Sequence, residues 1–418
     1  MSRPDRGSAS YRAVLALPRA RGLFAAAMLA RLSYGMLSLP LLLSLRQGTG
    51  SYAVAGTATG LFGLAAALLG PFRARLVEGR HAALMILSVC YTLLLASVAA
   101  GCALRIPALP TVGLAVLAGM FPPPVGPLMR TLWGELTVDE EQRQRALSLD
   151  TAAESTVFAL GPVFGAFLIT FSAAPMALGV CAVLVITGFS AFAAALGRSP
   201  AGAHRAAART PIPRTALGPL RAAGFVPLLL VVLGTGCALS LDEIAVVAAW
   251  GAGVAGPVMA LFSVGGVLGG LAYGRRQWRA TPGRRLLALA AFSSGCYALP
   301  ALLYAVPGAG VALLLAGACT DALLITSYLL VDTLVPGGSR TEAGAWVNTA
   351  YNLGSALGAG GAGLLIDRPG PVAVFAAAAV PLGAATALGA LRRSPLRRGG
   401  CEAAVLTGRQ PMVSDAVE

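Results

Sequence analysis

The sequence predicts an all-α, membrane-spanning chain of about twelve helices arranged as two six-helix bundles. Three observations lead there: composition, the recurrence of long apolar runs, and the one-sided placement of arginine. The 418 residues are 57% hydrophobic and only 11% charged, where a soluble domain carries about 25% charged residues. A chain so poor in surface charge would aggregate in water, so the bilayer is its natural solvent. At about 20 apolar residues per span plus short loops, the length holds roughly a dozen spans.

The first apolar run, 22–45, follows Arg12, Arg19 and Arg21. A cleaved leader has a shorter apolar region and a small-residue cleavage site. Many more spans follow here, so the run reads as a retained first helix. The others fall near 52–72, 82–104, 110–130, 147–170, 174–196, 224–249, 252–274, 285–305, 308–334, 344–366 and 371–391. A Pro- and Arg-bearing stretch, 198–223, reads as a cytoplasmic loop between an N-terminal bundle (22–197) and a C-terminal bundle (224–391). Residues 1–21 and 392–418 read as cytoplasmic tails, the second polar enough to be disordered. The halves echo each other: LFGLAAALLG (61–70) aligns with LFSVGGVLGG (261–270), sharing Leu61/Leu261, Phe62/Phe262, Leu68/Leu268 and Gly70/Gly270.

All 31 cationic residues are arginine. With the N-terminus inside, only Arg46, Arg105 and Arg368 fall outside and Arg31 within a helix, as the positive-inside rule requires of an inner-membrane protein. Trp133, Trp250, Trp278 and Trp346 fall near span ends, where indole rings favour the headgroup region. The net charge of +14 lies in short loop clusters without the aromatic platforms of a nucleic-acid binder. Cys90, Cys102, Cys181, Cys237, Cys296, Cys319 and Cys401 form no CxxC and read as packing residues. His81 and His204 are too far apart for a zinc pair, and no metal or cofactor is expected. Without Lys the chain cannot carry a phosphate-binding GxxxxGK[ST] loop, and it has no nucleophile elbow.

Three segments carry a family resemblance. GPFRARLVEGR (70–80) resembles the signature loop after the second helix of the major facilitator superfamily, with Ala74 where an acid is often found. The likeness carries a cytoplasmic gate latch onto Gly70, Arg75, Glu78, Gly79 and Arg80; the alternative is an ordinary basic loop. ALSLDTAAESTVFALGPVFGA (146–166) resembles the fifth-helix signature of the exporter branch, matching it at Gly161, Pro162 and Gly165. Small residues allow close helix approach and Pro162 permits a kink, which suits a helix rocking against the opposite bundle. TEAGAWVNTAYNLGSALGAGGAGLLID (341–367) resembles the eleventh helix of bacterial, particularly actinobacterial, exporters. RLSYGMLSLPLLLSL (31–45) and PPPVGPLMRTLW (122–133) look like their first and fourth helices.

An ionisable group inside a span is costly unless paired or hydrated, so each is a functional candidate. Asp150 and Glu154 are spaced i, i+4 and share a helix face. The resemblance places helices one and five in one bundle, so Arg31 is expected to pair with Glu154, with Asp150 and Arg130 nearer the cytoplasm. That pair is either a fixed structural one or one that moves or titrates. Asp321 sits mid-span in helix ten, and Asp332 lies on nearly the same face. Asp242 and Glu243 fall in the outer third of helix seven, Asp242 reading as a solvated interfacial acid. The family lines its cavity with helices one, four, seven and ten, which makes Asp321 and Glu243 coupling candidates. Tyr34, Tyr328, Asn348, Tyr351 and Asn352 either add polar contacts to the cavity or bond neighbouring helices. The resemblance implies a monomeric secondary transporter whose partners are membrane lipid, a small-molecule substrate and H+. Proton-coupled export of an amphipathic molecule leads; an uptake symporter and a polytopic membrane enzyme or sensor are the alternatives.

Overall fold

The computed structural model describes residues 10–78, 81–198, 218–366 and 370–391. Gly79, Arg80, most of the expected central loop, His204, Cys401 and the expected C-terminal tail lie outside the described residues. The described residues form fifteen α-helices and no strand. In the N-terminal half these are α1 (Tyr11–Ala16), α2 (Ala20–Thr49), α3 (Tyr52–Leu68), α4 (Gly70–Val77), α5 (His81–Ala103), α6 (Ala108–Gly119), α7 (Val125–Leu136), α8 (Glu140–Phe171) and α9 (Ala174–Gly197). In the C-terminal half they are α10 (Phe225–Trp250), α11 (Ala252–Arg275), α12 (Pro282–Leu303), α13 (Val306–Leu334), α14 (Arg340–Ile366) and α15 (Pro371–Leu391).

Among the described residues nine helices are long and apolar enough to cross a membrane, and α3 with α4, bent by 48° at Leu69, makes a tenth. The expected fourth span is broken. Its halves α6 and α7 have twelve residues each, separated by a stretch holding Pro122, Pro123 and Pro124. Proline supplies no N–H and disfavours helix in the residue before it, so three in a row end α6 and restart α7. The 27-residue α14 is long enough, but its polar middle keeps it from reading as a span by hydropathy alone. The expected count of twelve therefore rests on taking α6–α7 as one broken span and α14 as a polar one.

Local signals set the helix ends. Ser51 caps α3, accepting from the Val54 amide at 3.4 Å. Asp139 caps α8 at the Gln142 amide, 2.6 Å away, and Gln142 Oε1 returns to the Val138 amide at 3.0 Å. Glu140 and Glu141 in the first turn of α8 complement the helix dipole.

Two hydrophobic cores divide the molecule at the central loop: one draws on residues 14–196, the other on 225–385 plus Leu147. Lipid is as apolar as leucine, so the bundles are held by close packing at small residues. A Cβ at Gly161 would collide with the Gly35 backbone across the α8–α2 contact. One turn on, a Cβ at Gly165 would lie 2.8 Å from the Met36 carbonyl oxygen, the acceptor that Pro40 leaves without an intrahelical donor. The C-terminal half repeats this: Gly354 and Gly358 of α14 press on Leu233 and Cys237 of α10. Gly119 of α6 also meets the Phe62 carbonyl as Gly317 of α13 meets that of Phe262. The expected echo between 61–70 and 261–270 thus has a structural counterpart. The fifth-helix motif packs against α2 within its own bundle.

Cys102, Cys181, Cys237 and Cys296 are buried free thiols. Trp133 departs from the interfacial expectation. It is fully buried, because its indole N–H is a donor to Asp150 Oδ1 at 3.3 Å.

Candidate functional site

Charges gather where α2, α7 and α8 meet. Arg31 of α2 makes a bidentate pair with Asp150 of α8, Nη1–Oδ1 at 3.0 Å and Nη2–Oδ2 at 2.9 Å. Its Nε lies 3.4 Å from Glu154. Arg130 of α7 bonds Glu154 through Nη2 and lies 3.5 Å from Asp150. Two guanidinium groups and two carboxylates balance, as burial demands. Arg31 and Asp150 are fully enclosed, while Glu154 keeps 18% exposure. The expected Arg31–Glu154 contact is present, but the bidentate geometry belongs to Asp150. The i, i+4 spacing put both acids on one face; which acid takes the fork depends on the height at which Arg31 meets α8.

The cluster reaches across the molecule through Arg130. Its guanidinium stacks 4.0 Å above the Tyr328 ring, and Tyr328 donates its hydroxyl to Asn348 Oδ1 at 2.6 Å. One residue beyond Glu154, Ser155 donates to Asp321 Oδ2 of α13 at 2.8 Å. Asp321 is 5% exposed and packs against Gly266 of α11, where a Cβ would come within 2.9 Å of its carboxylate. The coupling candidates Arg31, Asp150, Glu154 and Asp321 are thereby brought together with Arg130. Glu243 is not among them: it is exposed on α10. Its neighbour Asp242, expected to be solvated, is fully buried, and neither oxygen has a hydrogen-bond partner among the described residues.

The remaining bonds between the halves gather at the end where the arginine-rich loops lie. Glu78 accepts from the Thr341 amide at 3.1 Å, and the Thr131 and Thr341 hydroxyls meet at 3.2 Å. Gln144 donates to the carbonyls of Tyr273 and Arg276 at 2.9 and 3.0 Å and accepts from Arg285 at 2.9 Å. Arg143 pairs with Asp332, which also lies 3.5 Å from Arg340. Tyr11 of α1 donates to the Leu271 carbonyl at 2.5 Å. Beyond Ser155, by contrast, Phe158, Leu160, Phe164 and Phe167 of α8 are exposed. The halves are latched at the arginine-rich end. Glu78 of the signature loop takes part, while Gln144, Arg143 and Arg285 were not singled out by the sequence.

Above the latch is a cavity of about 190 Å³. It is lined by Tyr34, Ala66, Ala67, Gly70, Arg73, Pro122, Pro123, Pro124, Pro127, Ala345, Asn348, Thr349 and Asn352. Tyr34, Asn348 and Asn352 were expected there; Arg130 and Tyr328 stand behind Asn348 rather than on the wall. Arg73 was read only as a loop cation.

Two helical halves, bonded across a shared seam at the arginine-rich end with a small cavity beside it, make up the fold of a multi-pass membrane protein. The family model of the Major Facilitator Superfamily matches residues 23–314, and the chain belongs to that superfamily of secondary transporters. No curated relative matches the chain. Its fold is similar to that of the human organic anion transporter MFSD10 (TETRAN): TM-score 0.67, 18% identity, 91% of this chain and 99% of the other covered. A bacterial homologue of the iron transporter ferroportin, outward-facing, gives a TM-score of 0.65 at 14% identity over 90% of this chain and 100% of that one. FucP, in the outward conformation, gives 0.60 at 15% identity over 88% and 98%.

Proposed function

We propose that the protein is a proton-coupled exporter moving a small amphipathic molecule out of the cytoplasm, with the arginine-rich end facing inward. The observation that carries this reading is Asp321. It is a mid-span carboxyl held by a single Ser155 hydroxyl across the seam, one residue from a balanced charge cluster. Opening the latch separates α8 from α13, so Ser155 leaves Asp321 and water replaces it. A carboxyl whose surroundings change so completely between two states binds its proton differently in each, and that difference is the free energy coupling requires. Loss of the Arg130–Tyr328–Asn348 contacts in the same movement ties the cluster to the transition. Among the fold neighbours is an organic anion transporter, which is compatible with a small organic cargo. A fucose:proton symporter favours a second reading, proton-coupled uptake.

Everted membrane vesicles carrying an acid-inside gradient separate the two. Under the export reading an added substrate collapses the gradient, and Asp321→Asn inserts normally but no longer responds. Substrate movement with unchanged pH dependence in Asp321→Asn would make that carboxyl structural and sink the coupling scheme.

A further inference from the structure

The cavity between α2, α4, α7 and α14 carries a charge that nothing in the latch or the cluster uses. Arg73 sits on α4, just past the 48° bend that turns this short helix inward. It is only 8% exposed and lines the cavity. Its Nη1 donates to the Met120 carbonyl at 3.1 Å and its Nη2 to the Ala66 carbonyl at 2.5 Å. Both acceptors lie where helices stop, at the end of α6 and near the end of α3, so those bonds close orphan carbonyls. A guanidinium has five N–H donors; two are thus engaged, and Nε is buried with no hydrogen-bond partner among the described residues. None of the lining residues is an acid. Arg31 and Arg130, by contrast, are neutralised by Asp150 and Glu154.

The two asparagines of the wall can also present donors. Asn348 Oδ1 accepts from both Tyr328, at 2.6 Å, and Arg130, at 3.5 Å, which leaves its amide N–H groups for the cavity. Asn352 lies one turn further along α14 and is exposed. Tyr34 and Thr349 spend their hydroxyl protons on the carbonyls of Pro123 and Ala67. The rest of the wall is alanine, glycine and proline. A volume of about 190 Å³ is below the ~300 Å³ at which drug-sized ligands begin to be enclosed.

We propose that this cavity receives a small organic anion, its carboxylate against Arg73 with the Asn348 and Asn352 amides, and its apolar frame against Tyr34 and the Pro122–Pro124 turn. This names the cargo class for the transport reading above and rests on it for the direction of movement. Arginine suits the task because its planar fork matches a carboxylate and holds its charge at any working pH.

The test is a binding measurement on the full chain in lipid nanodiscs, following thermal stability at constant ionic strength. Sodium acetate, hexanoate and benzoate are titrated beside the matching amides and amines. At least one carboxylate should give a saturable shift with a half-saturation about tenfold below its amide, the scale of one charge-assisted hydrogen bond, and the amines should give none. Arg73→Gln should bring carboxylate and amide to the same level, and Arg73→Lys should restore part of the preference. Asn352→Asp, an exposed change, should weaken carboxylates and leave amides alone. The proposal is overturned if no carboxylate shifts stability, if amides or amines match them, or if Arg73→Gln keeps the preference. Should Arg73→Gln fail to fold, carboxylate binding unchanged in Asn352→Asp overturns it instead. Carboxylate binding without proton-linked movement in vesicles would remove the transport reading alone. Proton-linked movement of a neutral or cationic compound would remove this one alone.

Discussion

Replacing Asp150 with asparagine tests the logic of the buried cluster most directly. The substitution preserves shape and keeps one acceptor oxygen, shared by Arg31 Nη1 and the Trp133 indole, but it turns an amide NH2 toward Arg31 Nη2 and removes the charge that faces Arg31 at 3.0 and 2.9 Å. Both partners are fully enclosed, so no water takes the place of the lost carboxylate. Leaving one member of a buried pair alone costs about 3–5 kcal/mol, or roughly a 10²- to 4×10³-fold fall in the folded-to-unfolded ratio. Glu154→Gln should cost less, about 1.5–3 kcal/mol for a charge-assisted hydrogen bond, because Glu154 is 18% exposed and Arg130 still has Asp150 at 3.5 Å. Unfolding of the purified protein in mixed micelles, followed by fluorescence, measures both. The double change Arg31→Gln with Asp150→Asn should recover part of the single loss. Equal costs for the two acids, or strictly additive losses for Arg31 and Asp150, would show that the bidentate pair does not organise the cluster.

Other outcomes follow from single contacts. Gly161→Val should destabilise by about 1–3 kcal/mol through overpacking against the Gly35 backbone, read in the same unfolding experiment; a neutral result would mean that α2 and α8 are not in close contact. Arg143→Ala removes the pair with Asp332 and should increase labelling of a cysteine placed at Ser148 from the arginine-rich side, with insertion unchanged. Arg75→Ala should raise labelling at the same position if the signature loop holds the gate; unaltered labelling would reduce that loop to a topological signal. Asp242→Leu should match or exceed the parent in stability, since it removes two buried oxygens that have no partner among the described residues, and a loss above about 1 kcal/mol would refute that reasoning.

What the sequence made legible were groups that contrast with their surroundings. Arg31, Asp150, Glu154 and Asp321 stand out because an apolar run frames each, and the i, i+4 spacing of the two acids sets their face. The long apolar runs and the arginine bias carried the fold class for the same reason. Near the span ends the contrast disappears. Gln144, Arg143 and Arg285 looked like loop residues, and only their depth in the seam shows them to be fastenings. Arg73 was hidden by its neighbours Arg75 and Arg80, and what separates it from them is the bend at Leu69, which no spacing rule encodes. Trp133 misled because a large indole near a span end usually seeks the headgroups; here a buried carboxylate needed its N–H. The match at Gly161 and Gly165 located a contact but not the helix contacted, since small-residue spacing is blind to partner.

The seam and the bundles are fastened by different materials, and temperature distinguishes them. Gln144, Arg285, Arg143, Asp332, Thr341 and Glu78 join the halves through polar groups that water can replace. Leu147 is the residue of the first half that enters the second half's core. Parting the halves exposes less apolar surface than unfolding does, so its heat-capacity change is the smaller of the two. A van't Hoff plot of the open-to-latched equilibrium should run close to a straight line over the growth range, its enthalpy nearly constant. The ratio of the two conformers would then change with temperature at a constant van't Hoff slope, without the curvature of a switch built on a hydrophobic interface.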